Sequence, residues 1–339
     1  MMKGNKPLLS IGLTTFNRPE FLKEAVDSIL KQSFKNFELL ISNDYQGSIV
    51  SYKSLKILPD FRIKIINQKY NLGETNNLNY LLKIANGKWF VWLGDDDLFD
   101  PNFLSSAFAA IKSRKNTIGF FSNYIASSDP KGVFPNKNMS IEFGFYDKKY
   151  FLSKYTSRKI SLIGVYGVIN TSILKKIGGM KRLGNSFGPY SDTILPILLS
   201  KYGLISWSPQ PLVFLRTHSA GMSVASIDFN AFTSAEEDFL KILMHYCSKE
   251  GLSSFTGEYI SNMLYWFVDN EWAVLNRTPE LNIYTICRIF VSHQVKVNFP
   301  RLMFKRRLIF SFFILLFLSK HLFRKMLKYF FNLYKSLFY

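Results

Sequence analysis

The apolar run Trp89-Phe90-Val91-Trp92-Leu93 is followed, after Gly94, by Asp95-Asp96-Asp97. A buried strand that stops and at once presents three carboxylates places a dense negative charge at one edge of a sheet. Open α/β sheets bind their ligands at the carboxyl ends of their strands. Adjacent carboxylates repel one another and are costly unless solvated or neutralised, and a hard divalent cation with oxygen ligands neutralises them well. A solvated acidic turn leading into Pro101 is the plainer alternative. The rest of the chain has to decide between the two.

Segments 8–15, 37–42 and 61–66 also read as strands. Pro19 opens a pattern in which Phe21, Leu22, Ala25, Val26, Ile29 and Leu30 recur at helical spacing. A second helix over 76–85 is stopped by Asn86-Gly87. Strands alternating with helices predict a mostly parallel, doubly wound α/β sheet flanked by helices. Further on, 160–169 is apolar, Gly178-Gly179 marks a break, 193–202 reads as a helix and 229–293 is helical throughout. The segment 130–138, rich in Pro, Gly, Lys and Asn, is expected to be a mobile loop. The expected division is a sheet domain over 1–225, a helical extension over 226–300 and a basic tail over 301–339.

Polar residues gather where the strands end. Thr15, Asn17 and Arg18 follow the first strand, Asp44 the second, and Asp95, Asp96 and Asp97 the fourth. In a parallel sheet these ends share one edge, so residues far apart in sequence face one ligand, and together they read as a nucleotide-sugar site. Singly, each has a local explanation. Asn17 could cap the helix that Pro19 opens, and Asn43-Asp44 could be a turn.

Thr14-Thr15-Phe16-Asn17-Arg18, Glu38-Leu39-Leu40-Ile41-Ser42-Asn43-Asp44, Asn71-Leu72-Gly73 and Leu93-Gly94-Asp95-Asp96-Asp97 resemble, in order and spacing, the family 2 glycosyltransferases with the GT-A fold. The resemblance covers about residues 8–220. It implies a GT-A, Rossmann-like sheet followed by C-terminal helices. It also implies an inverting transferase that uses a nucleotide-diphospho-sugar and a divalent metal, Mn2+ or Mg2+. Thr15, Phe16, Asn17, Arg18, Asn71, Gly73 and Asn79 then fall on the donor side. Phe16 stacks near the base or belongs to the core. Asp44 matches the family's base-reading Asp. Its carboxylate accepts from N3–H of uracil or thymine, which cytosine lacks, and so favours UDP or dTDP donors.

Two registers fit the aspartates. Aligned on Pro101, Asp96 becomes the metal ligand and Asp95 lies nearer the ribose; aligned as Asp95-x-Asp97, the outer pair takes those roles. Asp96, Asp97 and His218 are the metal candidates. His218 lies in Leu212-Val213-Phe214-Leu215-Arg216-Thr217-His218, which resembles a segment where relatives place a metal- or diphosphate-binding His, and Arg216 is a further phosphate candidate. An inverting transfer needs a general base for the acceptor hydroxyl. By resemblance Asp192, in Tyr190-Ser191-Asp192-Thr193, is that base; the alternative is that Ser191 or Asp192 caps the following helix. The chain departs from the family pattern at Gly94, where many relatives carry Asp, and at Leu78, where many carry Arg.

The formal charge is +19 over 339 residues, and from Arg301 onward there are nine Lys and Arg and no acid. The apolar run 308–318 is too short to span a bilayer as a helix. Beyond it, Lys320, Arg324 and Lys328 share one helical face, with Leu322, Phe323, Met326, Leu327 and Phe330 on the other. That pattern predicts a helix lying in the interface of an anionic membrane; packing on the core or on a second subunit is the alternative. Two cysteines cannot form a disulfide framework, and the polar start lacks the apolar segment of a signal peptide. The expected location is the cytoplasmic face of the inner or plasma membrane, peripherally bound. No nucleic-acid motif accompanies the basic charge, so a nucleic-acid partner is not expected. The resulting expectation is a hexosyl- or deoxyhexosyltransferase that extends a lipid-linked saccharide acceptor in cell-surface polysaccharide or O-antigen synthesis. A catalytically silent, transferase-like scaffold is the competing expectation, and a basic nucleic-acid-binding protein the less favoured one.

Overall fold

The computed structural model describes residues 6–131, 134, 141–184, 189–218 and 229–275. The expectations for the tail over 301–339 and for most of 130–138 lie outside these residues. The first half alternates strands and helices: β1 (Leu9–Thr15), α1 (Pro19–Leu30), β2 (Phe37–Asn43), α2 (Tyr52–Leu55), β3 (Ile63–Asn67), α3 (Glu74–Ile84) and β4 (Trp89–Gly94). The short β5 (Leu98–Phe99) leads into α4 (Phe103–Ser113) and the long β6 (Thr117–Ser127). Then come β7 (Gly144–Tyr146), α5 (Lys148–Thr156), β8 (Val168–Asn170), α6 (Thr171–Ile177), α7 (Ser191–Leu199) and β9 (Leu204–Arg216). Two long helices follow, α8 (Phe229–Lys249) and α9 (Thr256–Leu275).

The strands form one sheet in the order β3-β2-β1-β4-β8-β6-β9-β5, with β7 also paired to β9. Its long ladders, β1 with β2, β1 with β4, β2 with β3 and β6 with β9, are parallel. The antiparallel pairings are only two or three residues long. The sheet is thus mostly parallel, as the strand–helix alternation predicts. Leu9, Ile11, Leu13, Leu39, Ile41, Val91 and Leu93 are fully buried, which is why β1, β2 and β4 read as continuous apolar runs. On α1, Leu22, Ala25, Val26 and Ile29 form the buried stripe.

Register decides where the chemistry sits. Thr15 lies beside Asn43, and Thr14 beside Gly94. The residues that follow β1, β2 and β4 therefore emerge side by side.

Several elements differ from the sequence expectation. Helix α3 begins at Glu74, two residues before 76, because Gly73, at φ 76°, already turns the chain into it. Helix α7 begins at Ser191, and its last expected residues form a 3-10 turn, Ser200–Tyr202. The apolar 160–169 is not one element; it divides into a 3-10 turn, Gly164–Tyr166, and the start of β8. Strands β6 and β9 carry no clean period. Pro211 of β9 pairs with Asn123 where the ladder shifts register, so a proline stands inside a strand only because a bulge removes the need for its N–H.

Helices α8 and α9 belong to the same compact unit as the sheet. Phe239 and Phe267, buried on these helices, meet the ring of Tyr190 just before α7.

Phe120 sits at the centre of the core, its ring 6.0 Å from those of Phe103 and Phe143. Phe120→Ala is expected to lower unfolding stability by about 3–5 kcal/mol in a urea titration.

Candidate active site

The three adjacent carboxylates are held in three different ways. Asp95 turns back onto the end of β1. Its Oδ2 accepts from Thr15 Oγ1 at 2.7 Å and from the Phe16 N–H at 3.3 Å, and its Oδ1 accepts from Arg18 Nη1 at 3.2 Å. Asp97 turns into the protein. Its Oδ2 accepts from the Tyr166 hydroxyl and its Oδ1 from the Arg216 N–H at 2.8 Å. Asp96 faces outward between them. Its Oδ2 lies 2.8 Å from Arg18 Nη1 and 3.0 Å from His218 Nε2.

Asp97, expected among the metal ligands, is turned toward the protein interior. Asp97 is 2% exposed and both of its oxygens are engaged inside the protein. Asp96 is thus the outward carboxylate of the three, and Asp95 is tied to the end of β1. Burial pushes the Asp95 carboxyl up, with the Thr15 hydrogen bond working against it. Burial, then repulsion from Asp96, pushes Asp97 up to about 7.

His218 and Asp96 are brought together by Arg216. Its Nε donates to the Asp96 carbonyl at 2.9 Å, another of its nitrogens pairs with Glu24, and its guanidinium lies 4.6 Å from the centre of the Phe21 ring. The same ring meets the His218 imidazole edge-on at 5.0 Å. Arg216, a phosphate candidate, uses its Nε and Nη2 to brace the aspartate turn against α1. That leaves Arg18 as the cation beside Asp96.

Asp44 closes the neighbouring side. Its Oδ1 accepts from the Leu72 N–H at 2.8 Å and its Oδ2 from the Gly73 N–H at 2.9 Å. Asn71 Oδ1 also accepts from the Gly73 N–H, at 2.7 Å. Asn71, Gly73 and Asp44 thus form one unit. Each Asp44 oxygen keeps a second lone pair for a ligand donor. Phe16 is 49% exposed and meets only the edge of the Tyr45 ring, so it is not a core residue. Asn17, at φ 55°, makes the turn out of β1, while Arg18 holds the cap position of α1. Asn79 pairs both ways with the Met180 backbone, at 3.0 and 2.9 Å, so its amide holds the chain just after Gly178-Gly179. A side chain at Gly179 would collide with the Asn79 amide.

Asp192 stands in the first turn of α7. The cap position there is Tyr190, in the left-handed region and without a side-chain cap bond, so neither Ser191 nor Asp192 caps the helix. The Asp192 carboxylate accepts from Thr193 Oγ1 at 3.3 Å, and burial pushes its carboxyl up. A Cβ at Gly164 would fall 1.8 Å from the Asp192 carbonyl oxygen, so only glycine lets α7 approach this closely. Tyr190 is anchored by its hydroxyl on Glu236 of α8 at 2.8 Å.

Glu74 joins the two halves and was not evident in the sequence. It opens α3, with its side chain in the cleft. Although Glu74 is exposed overall, desolvation of its carboxyl, then repulsion from Asp192 and Asp96, raises its pKa to about 7. The only signal in the sequence was its place directly after Asn71-Leu72-Gly73. Among the described residues, no three His, Cys, Asp or Glu side chains are placed to hold a metal by themselves.

The family model "Glycosyl transferase family 2" matches residues 10–178, the stretch that carries Thr15, Asp44 and the aspartate triplet. The chain belongs to glycosyl transferase family 2. An uncharacterized glycosyltransferase from Haemophilus influenzae is 35% identical over 101 residues, 30% of this chain and 31% of that protein. From Escherichia coli, "UDP-Glc:alpha-D-GlcNAc-diphosphoundecaprenol beta-1,3-glucosyltransferase WfgD" is 31% identical over 118 residues, 34% of this chain and 46% of that protein. These matches span less than half the length of either relative. S. aureus TarS 1–349 in complex with UDP-GlcNAc superposes with a TM-score of 0.52 at 16% identity, covering 78% of this chain and 72% of TarS 1–349. The mannosyltransferase PcManGT from Pyrobaculum calidifontis, in complex with GDP-Man and Mn2+, superposes with a TM-score of 0.51 at 12% identity, covering 87% and 82%. At these identities the likeness is one of fold, and the fold is GT-A. In this family 2 domain the aspartate motif is thus one outward carboxylate supported by two inward ones.

Tyr166→Phe removes the hydroxyl from a buried carboxylate and is expected to cost about 1–3 kcal/mol. The hydroxyl favours the ionised form of Asp97, and that form gains population as pH rises through about 7. Urea titrations of wild type and variant should therefore differ more at pH 8 than at pH 6.

Proposed function

We propose that the chain is an inverting glycosyltransferase that moves a hexose or deoxyhexose from a UDP- or dTDP-sugar onto a lipid-linked saccharide acceptor. The observation that carries this reading is Asp96. It faces outward beside His218 and Arg18, on the rim it shares with Asp44, with Glu74 and Asp192 across the cleft. A carboxylate oxygen and an imidazole nitrogen 3.0 Å apart suit two ligands of a divalent ion whose other ligands are phosphate oxygens and water. Asp96 and His218 would hold Mn2+ or Mg2+, and the nitrogen donor favours Mn2+. Such an ion, when bound, supplies Lewis-acid neutralisation of the departing diphosphate.

The chain's own groups divide the remaining work. Asp44 accepts from N3–H of the base while its other lone pairs hold the 71–73 turn. Arg18 offers a fixed positive charge to the diphosphate. Asp192 takes the proton from the acceptor hydroxyl as its oxygen attacks the anomeric carbon. The bond from that carbon to the diphosphate oxygen breaks, and the nucleoside diphosphate leaves with the electron pair. The raised pKa of Asp192 suits a base, because a more basic carboxylate accepts the proton with greater driving force.

The acceptor and pathway draw support from the relatives' names. WfgD is named for a diphosphoundecaprenol-linked acceptor, and a second Escherichia coli relative, 33% identical over 117 residues, is a putative colanic acid biosynthesis glycosyl transferase, WcaA. Surface-polysaccharide assembly on a membrane-anchored acceptor, O-antigen included, is the matching role. No helix among the described residues is long and apolar enough to cross a membrane. The attachment proposed is peripheral, on the cytoplasmic face and through the basic tail, whose apolar run 308–318 is too short to span a bilayer as a helix.

A thermal-shift screen of UDP- and dTDP-sugars with Mn2+ is expected to reveal stabilisation by at least one donor and loss of it in Asp96→Ala. Indifference to every donor, with and without metal, would refute the reading. Asp192→Asn is expected to keep the donor shift and lose transfer by roughly a hundredfold or more. In wild type the protonated base is inactive, so kcat should rise with pH through a value above the ordinary aspartate range of about 4. A pH–rate profile checks that direction.

A further inference from the structure

The chain on either side of the outermost strand, β3, carries an unusual surface. Among the described residues, the four most exposed large apolar or aromatic side chains are Phe61 (100%), Leu58 (87%), Ile49 (75%) and Tyr70 (69%), and all four lie on one stretch around α2 and β3. They are not on slack chain. The Tyr52 hydroxyl donates to the carbonyls of Asp60 and Ile63, at 3.1 and 2.9 Å. Asn67 bonds the Val50 backbone in both directions, at 2.8 and 3.0 Å. The same stretch exposes Lys53, Lys56, Lys64 and Lys69, none of which has an ion pair among the described residues. Its one acid, Asp60, is spent on Arg62, through a pair of bonds to Nε and Nη2.

Lysine on an edge strand has a simple purpose, since it discourages pairing with another sheet. That purpose does not account for Phe61, held wholly in water one residue from that salt bridge. Bulky rings and aliphatic tips spaced among unpaired lysines fit a surface that is apolar just beneath an anionic layer. A second copy of the chain would bring another four lysines against these four. Charge complementarity therefore selects an anionic partner.

We propose that the β3 edge of the catalytic unit rests on an anionic lipid surface, with Phe61 and Leu58 entering the headgroup layer and the lysines meeting the phosphates. This contact belongs to the sheet domain and is separate from the C-terminal tail. It does not rest on the transfer reading. β3 leads through Tyr70 directly into the Asn71-Leu72-Gly73 turn held by Asp44. The contact would thus fix the donor side of the cleft near the membrane plane.

The test uses the full chain. An environment-sensitive fluorophore is attached to Phe61→Cys, with the wild-type chain treated identically as background for its own cysteines. Vesicles of phosphatidylcholine with phosphatidylglycerol are expected to shift the residue-61 signal to the blue, and vesicles of phosphatidylcholine alone to leave it unchanged. Adding Lys53→Glu and Lys64→Glu is expected to weaken the anionic-vesicle response roughly tenfold. Donor thermal shifts of the same variants should match wild type, which separates this contact from the chemistry. The proposal is overturned if the chain pellets with anionic vesicles while the residue-61 signal stays still. It is equally overturned if neutral vesicles give the same shift, or if the signal follows protein concentration without lipid, the mark of a second copy.

Discussion

Three neighbouring carboxylates at the end of a buried strand cannot all face the same way. An ionised carboxylate taken from water without partners costs several kcal/mol, so each must be given a solvent or a partner of its own. Here the chain divides them. Asp95 is stabilised by β1 through Thr15, Phe16 and Arg18; Asp97 is stabilised by Tyr166 and the Arg216 backbone. Asp96 alone is left to the cleft, with Arg18 and His218 beside it. The end of β1, the 3-10 turn at Tyr166 and the end of β9 each bring one partner to this turn.

Much of this was readable in the residues. The continuous apolar runs of β1, β2 and β4, each ending in polar side chains, required a parallel sheet with its chemistry on one edge, and the register of Thr15 with Asn43 meets that requirement. What could not be read came from long-range packing. β9 contains two prolines and β6 a Ser-Asn break, and both strands exist because a bulge absorbs the mismatch between them. Tyr166 came from an apolar segment whose division into turn and strand depends on the aspartates it serves. Arg216 was a phosphate candidate because its segment, Leu212 to His218, resembles one that places a diphosphate-binding His in relatives. Only the placement of Glu24 and Phe21 turns it into a brace.

Glu74 illustrates a further limit. A glutamate in the first turn of a helix has a local explanation, favourable interaction with the helix dipole, and nothing in its neighbours suggests more. Its charge matters because α7 brings Asp192 across the cleft, and α7 comes that close only because position 164 has no side chain. A single missing Cβ thus decides whether two carboxylates from distant parts of the chain share one environment.

The two sides of the cleft are held by different means. The rim with Asp44 is built from strand ends, with Asp44 tied by two hydrogen bonds to the 71–73 turn. The side carrying Asp192 hangs on packing, with Tyr190 set among Phe232, Phe239 and Phe267 and its hydroxyl on Glu236. A hydrogen-bonded sheet edge is stiff, whereas a helix seated on aromatic rings can shift as a body when neighbouring helices move. Helices α8 and α9 therefore help to set where Asp192 stands, through the packing and hydrogen bond of Tyr190.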